Sequence, residues 1–379
     1  MYDYIIRKEF PGYLVFNIRD DVISLENDIS QFNNYLYFDN LNEKVLSAPT
    51  QVFAEVTDEC LLRCKHCFNG ERRNNTELPI DDWKRIIDKL ADNGVFRVRI
   101  TGGEPFCRKD IIELLSYLDT KPIRYSIYTN GILLEKYIDQ LKNLQNLSCV
   151  RVSIDGTREV NDSIRGAGVF DKAISAVKLL ESNNIPCQIN FTISNTNYKV
   201  LGALSEELIK EGIKSKIHVG FIKIGGRAKH NIENCFVDEE AFEKQVIEIR
   251  ECINSHTNIV EYVLLRPLYN RIYGNAIGCP GGRINFVIKS NGDVSPCGVL
   301  PEGALSCGNL LRNSFSEVWH HKNMEKVRQI PIQSKCTKCK YLFVNCTGGC
   351  WANPYNLFGN LYGRDINCAT YRAFCKVTV

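Results

Sequence analysis

Cys60, Cys64 and Cys67 form a C-x3-C-x2-C cluster. Three thiolates on one loop can hold three corners of a [4Fe–4S] cube and leave one iron open, or they can belong to a structural zinc site, which closes with four ligands. His66 is the fourth zinc donor on offer, although a side chain adjacent to Cys67 has to turn back on it. A second set runs Cys279, Gly292, Cys297, then Cys336-x2-Cys339-x6-Cys346-x3-Cys350, then Cys368. Its C-x2-C and C-x3-C pairs would also satisfy a zinc ribbon, but the seventh cysteine and the lack of a basic stripe argue against a nucleic-acid-binding one. Cys107, Cys149, Cys187, Cys235, Cys252 and Cys375 read as small buried apolar residues. Two more runs are rich in chemistry. Thr101-Gly-Gly-Glu-Pro105 sets two glycines beside a carboxylate, and Ser153-Ile-Asp-Gly156 is followed by Arg165-Gly166. Glycines allow close backbone approach to a ligand, and a carboxylate beside them suits an ammonium rather than a phosphate. A hydroxyl and a guanidinium suit a carboxylate. Asp155 reads equally well as a turn residue. No Ser/His/Asp constellation is visible.

The 379 residues carry 47 basic and 44 acidic side chains, a net charge of +3. That balance provides no global field for nucleic acid or an anionic membrane. Seventeen cysteines, an odd number, cannot all pair internally. The first ten residues carry four charges and no uninterrupted apolar core for export, and no apolar run is long enough to span a bilayer. The expectation is a cytoplasmic protein with reduced thiolates bound to metal.

Positioning these groups falls to an alternation of β-branched runs and amphipathic stretches, the mark of βα units and a parallel sheet. The strands expected are Val52–Val56, Phe96–Thr101, Ile123–Tyr128, Cys149–Ile154, Gln188–Ile193 and Ile217–Ile222. Helices are expected at Ile80–Asp92, Asp110–Tyr117, Leu133–Lys142, Val169–Ser182 and Lys199–Glu211. Six repeats give an α/β fold, a partial (β/α)6 TIM-like barrel over 51–235, with the cysteine loop and the Gly-Gly-Glu turn at its C-terminal rim. Residues 1–50 form a small β-rich segment with strands at Tyr13–Asn17 and Tyr35–Phe38. A helical linker covers 236–278, including a helix at Asp238–Cys252. The Gly- and Cys-rich remainder, 279–379, shows little apolar periodicity, so metal must supply part of its folding energy.

In combination these motifs resemble the radical S-adenosylmethionine enzymes. The C-x3-C-x2-C loop with an aromatic His66 before its last cysteine, the Gly-Gly-Glu turn and the Ser-Ile-Asp-Gly and Arg-Gly pair all match that family's pattern. The resemblance implies that Cys60, Cys64 and Cys67 hold a [4Fe–4S] cluster. It also implies that Gly102, Gly103 and Glu104 bind the methionine amino group of S-adenosylmethionine, Ser153 and Arg165 its carboxylate, and His66 and Thr192 its nucleoside part. The chemistry implied is reductive cleavage of the cofactor to methionine and a 5′-deoxyadenosyl radical, with the electron delivered by a flavodoxin- or ferredoxin-type partner.

The C-terminal cysteines are similar to the SPASM extension, which binds two auxiliary [4Fe–4S] clusters. By that likeness Cys336, Cys339, Cys346 and Cys368 close one cluster, while Cys279, Cys297 and Cys350 hold the other. Some relatives supply its fourth ligand six positions after the first cysteine, where this chain has Asn285. Cys307 is a substitute, and an open iron the alternative. The gap between Cys339 and Cys346 is six residues, one more than usual. This layout implies a maturase that oxidatively cross-links or otherwise oxidises a ribosomally made peptide or protein, with residues 1–50 as a peptide-recognition element. Alternatives are a sulfatase-maturing, formylglycine-generating enzyme, a tetrapyrrole or other small-molecule modifier, and a non-catalytic iron–sulfur or zinc scaffold. No nucleic acid or membrane partner is expected.

Overall fold

Alternating strands and helices wind, in the computed structural model, into one sheet that carries the chemistry at one end. Residues 2–39, 41, 45–70, 77–231, 239–261, 279–330 and 349–362 are described. Cys235, Cys336, Cys339, Cys346, Cys368 and Cys375 lie outside them.

Strands β5 (Gln51–Glu55), β6 (Arg97–Thr101), β7 (Arg124–Thr129), β8 (Leu147–Ser153), β9 (Cys187–Ile193) and β10 (Ile217–Phe221) are neighbours in chain order and all parallel. Period-two alternation tells the two faces apart. In β6, Val98 and Ile100 are buried while Arg97, Arg99 and Thr101 are only partly so; in β8, Val150 and Val152 are buried and Arg151 and Ser153 are not fully. The apolar face lies under the helices α1 (Ile80–Asp92), α2 (Ile111–Asp119), α5 (Val169–Ser182) and α6 (Leu201–Lys210). Helix α1 shows why the match works: Trp83, Ile86, Ile87 and Leu90 recur at helical spacing and are all buried. The polar face lines the inside of a partial barrel, whose rim at the C-terminal strand ends carries the loops of interest.

The expected Leu133–Lys142 helix is broken, with a 3-10 turn at Leu134–Tyr137 followed by the four-residue α3 (Ile138–Leu141). A further helix, α4 (Arg158–Arg165), fills a stretch to which the sequence assigned no element. Its composition is so polar that no apolar stripe announces it, and only Asn161, Ile164 and Arg165 are buried.

Within the N-terminal segment, β1 (Tyr4–Lys8), β2 (Tyr13–Asn17), β3 (Val22–Glu26) and β4 (Tyr35–Phe38) form their own four-stranded sheet, in the order β3-β2-β1-β4. It packs under the barrel at the end away from the rim. Phe16 stacks on Phe96 with ring centroids 5.0 Å apart, Arg7 lies 4.4 Å over the same ring, and Asp21 pairs with Arg97. Ile5, Leu14 and Phe16 join the barrel's core.

The Cys-rich segment contributes more to this core than its composition suggests. Strand β12 (Asn285–Ile288) pairs in parallel with β5, and β13 (Val294–Ser295) turns back on it. With β11 (Val260–Glu261) beside β10, the sheet has nine strands among the described residues. All four residues of β12 are buried, as befits a strand covered on both faces. Phe286, Ile288, Val294 and Trp319 belong to the same apolar cluster as the barrel strands. The partner strand lies far away in sequence, so local pattern gave no sign of the pairing.

Candidate active site

The loop leaving β5 carries Cys60, Cys64 and Cys67, and all three line one pocket of about 250 Å³ at the rim. None is in a disulfide. Burial pushes the Cys60 thiol up and the Cys64 thiol up to about 11. An arginine absent from the sequence-based site fixes this loop. At the mouth of β10, the Arg227 N–H donates to Cys67 O (3.0 Å), its Nε to Cys64 O (2.9 Å) and its Nη1 to Gly70 O (2.7 Å). Gly226 permits the approach, since a Cβ there would stand 2.4 Å from Phe68 O. The signal in the sequence is the pair Gly225-Gly226 a few residues past the end of β10, the counterpart of Gly102-Gly103 directly after β6.

Gly102, Gly103 and Glu104 also line the pocket, but the glycines' close approach is to the cysteine loop. A Cβ on Gly102 would lie 2.3 Å from Thr57 O, and one on Gly103 2.1 Å from Glu59 O. The Gly103 and Glu104 N–H groups donate to those same two carbonyls at 2.7 Å each. The turn thus welds the second rim loop to the first. Glu104 is buried and accepts from Thr129 Oγ1 (2.8 Å) and the Asn130 N–H (2.7 Å). Burial outweighs these bonds and raises its carboxyl to about 7.

Ser153 at the end of β8, Arg165 at the end of α4, Thr192 in β9 and His66 face the same pocket. Asp155, which reads equally well as a turn residue in the sequence, joins three of them, Arg165, His66 and Thr192. Its Oδ2 lies 2.6 Å from Arg165 Nη2 and 3.1 Å from His66 Nε2, and its Oδ1 accepts from the Thr192 N–H at 2.8 Å. Burial alone would push this carboxyl up, but Arg165 and then His66 outweigh it and hold it down at about 2. Arg165 Nε and His66 Nδ1 are buried without a hydrogen-bond partner among the described residues. Such atoms call for a bound ligand or water. Three thiols in the cavity wall, an ammonium-compatible carboxylate and a guanidinium with a free donor fit an iron–sulfur cluster and an amino acid bound beside it.

Among the C-terminal cysteines, Cys279, Cys297 and Cys350 share a small apolar cluster with Trp351, Leu300 and Phe68 of the cysteine loop. Cys307 is elsewhere, buried in the main core with its Sγ 3.3 Å from Leu305 O, and burial drives its thiol up to about 12. Asn285 is committed to β12 opposite Gln51. Cys107 follows Glu104 on the one-turn helix Pro105–Cys107, and its thiol is likewise raised, to about 11.

Residues 54–220 match the Radical SAM superfamily, and residues 279–340 match the SPASM iron-sulfur cluster-binding domain. An AdoMet-dependent heme synthase of Methanosarcina barkeri is 28% identical over 85% of this chain and 97% of its own. The antilisterial bacteriocin subtilosin biosynthesis protein AlbA of Bacillus subtilis is 27% identical over 85% of this chain and 71% of its own. The crystal structure of Streptococcus suis SuiB bound to precursor peptide SuiA superposes with a TM-score of 0.77 over 97% of this chain and 98% of that one, at 19% identity, a likeness of fold. No helix among the described residues is long and apolar enough to cross a membrane. These two domains imply [4Fe–4S] clusters and S-adenosylmethionine as cofactors. The chain joins a Radical SAM domain to a SPASM iron-sulfur cluster-binding domain, the two-part layout of a radical SAM/SPASM enzyme.

Proposed function

We propose that the chain oxidatively matures a ribosomally synthesised peptide, forming a carbon–carbon or carbon–sulfur cross-link or a related side-chain oxidation. The observation that carries the site is the convergence of Cys60, Cys64, Cys67, Glu104, Ser153 and Arg165 on one pocket. In this reading the three thiolates hold the reactive cluster. Gly102, Gly103 and Glu104 receive the cofactor's ammonium, Arg165 and Ser153 its carboxylate, and His66 and Thr192 its adenosyl half. Held there, cluster and cofactor would supply one-electron chemistry for taking a hydrogen atom from the substrate, and auxiliary clusters held by the C-terminal cysteines would supply a sink for the second electron, the second hydrogen leaving as a proton. A flavodoxin- or ferredoxin-type protein would deliver the initiating electron. Cys279, Cys297 and Cys350 would hold one auxiliary cluster; the separate packing of Cys307 favours an open iron or a different donor as its fourth ligand.

The peptide substrate is supported by the fold shared with SuiB, seen with its precursor peptide, and by the resemblance to AlbA. Residues 1–50 sit at the far end of the barrel from the pocket, so any peptide recognition there would be remote from the chemistry. A second reading, tetrapyrrole side-chain modification, is favoured by the heme synthase relative. Co-expression with the short open reading frames beside the gene, followed by mass spectrometry, separates the two. A peptide that loses two hydrogens supports the proposal. An unmodified peptide together with turnover of coproporphyrin III overturns it.

A further inference from the structure

We propose that Arg99 and Arg151, two guanidiniums on the inner face of the barrel one side-chain layer beneath the pocket, bind a carboxylate of the substrate. Thr101 and Ser153 line the pocket. Arg99 and Arg151 precede them by two residues on the same strands and the same face, so they lie roughly 6.6 Å deeper. Both heads lean over the intervening strand β7. Arg99 Nη1 donates to Ser126 Oγ at 2.9 Å, and the Arg151 guanidinium lies 5.4 Å from the centroid of Tyr128, itself a pocket residue.

Both are partly buried and lack a counter-charge. Cations drawn out of water are usually paired: Arg7 pairs with Glu9, Arg97 with Asp21, Arg108 with Asp110, Arg165 with Asp155 and Lys289 with Glu55, while Arg227 commits its guanidinium to carbonyls. Among the described residues no carboxylate is within ion-pairing distance of Arg99 or Arg151, and Arg151 Nε is buried with no hydrogen-bond partner. The field of the pair registers on its surroundings. Burial, then Arg151 and Arg99, hold His218 down at about 4. Burial lowers Arg99 itself, opposed by Tyr128 and Asp21 and helped by Arg151 and Arg97.

Two forked donors one layer beneath the pocket lining suit a planar carboxylate that reaches down between Thr101, Tyr128 and Ser153. In the peptide reading, on which this rests, that group is an aspartate or glutamate side chain or the C-terminus; a tetrapyrrole would offer a propionate. The test uses reconstituted holoenzyme with S-adenosylmethionine and two probe pairs, a labelled glutamate-rich hexapeptide against its glutamine counterpart, and coproporphyrin III against its tetramethyl ester. Wild type should bind the acid member of a pair at least about tenfold more tightly, and Arg99→Gln and Arg151→Gln should abolish the preference. Acid preference confined to the porphyrin keeps the anion site and sinks the peptide reading. Preference in neither pair, or preference that survives both substitutions, overturns the proposal. Folding is checked independently: Arg151 has no ion pair to lose, only its contact with the Tyr128 ring, so Arg151→Gln should cost no more than about 1 kcal/mol in thermal unfolding. A loss of about 3 kcal/mol or more would mark Arg151 as structural and contradict the assignment.

Discussion

Arg165 and Asp155 form a buried ion pair, Nη2 to Oδ2 at 2.6 Å, at the floor of the rim pocket. The same carboxylate reaches His66 at 3.1 Å, so one aspartate orients two of the groups proposed to hold the cofactor. Replacing Asp155 by Asn keeps the shape and strands the Arg165 charge. We expect a loss of about 3 kcal/mol in denaturant unfolding of the empty protein and about tenfold weaker S-adenosylmethionine binding by equilibrium dialysis. The double variant Asp155→Asn/Arg165→Gln should lose less stability than the two single changes summed. Strict additivity would show that the pair is not a unit.

Arg227 ties the cysteine loop to the mouth of β10 through three carbonyls. A lysine keeps the charge but cannot reproduce a fork. Arg227→Lys should therefore lower iron at the first cluster and alter its paramagnetic spectrum, while iron bound by the C-terminal cysteines persists. Unchanged iron and an unchanged spectrum would mean that the loop holds its shape without the clamp.

Gly103→Ala places a Cβ 2.1 Å from the Glu59 carbonyl, backbone against backbone, with no flexible side chain to yield. The expected cost is at least about 1–3 kcal/mol in chemical denaturation. Gly220→Ala in β10, where a Cβ meets nothing within 4 Å, is the matched control and should cost little. Equal effects at the two positions would remove the argument that Gly103 is there to join the rim loops.

How much of this was legible in advance depended on whether an interaction leaves a local mark. Cys60, Cys64 and Cys67, and Gly102, Gly103 and Glu104, are dictated by residue type and close spacing, and the strands β5 to β10 by β-branched runs between amphipathic helices. Asp155 and Arg227 act through a partner brought near only by folding, or through carbonyls that every residue possesses, so neither stood out. The strand Tyr4–Lys8 was overlooked because it contains Arg7, a charge that Glu9 and the Phe96 ring make tolerable inside. Strand β12 waited on a partner at the other end of the chain.

Glu104 gives the site a pH dependence. Its carboxyl is raised from an ordinary 4.5 to about 7 by burial, and the ammonium it is proposed to receive requires the ionised form. Cofactor affinity should fall as the pH drops below about 7, approaching about tenfold per unit. The empty protein should behave oppositely: the folded state holds this proton more tightly than the unfolded one, so this group's contribution to stability grows as the pH falls from 7 toward 4.5. Glu104→Gln should flatten both profiles in calorimetric titrations. A profile that survives the substitution would assign the proton to another group.

Anaerobic reconstitution, reduction and incubation with S-adenosylmethionine, reading out 5′-deoxyadenosine, puts the central assignment to its most direct trial. Wild type should form the product. Cys60→Ala, Cys64→Ala and Cys67→Ala should each form none while still carrying iron in the C-terminal region. Product from any of the three variants, or zinc instead of iron at this loop in active wild type, would contradict the account.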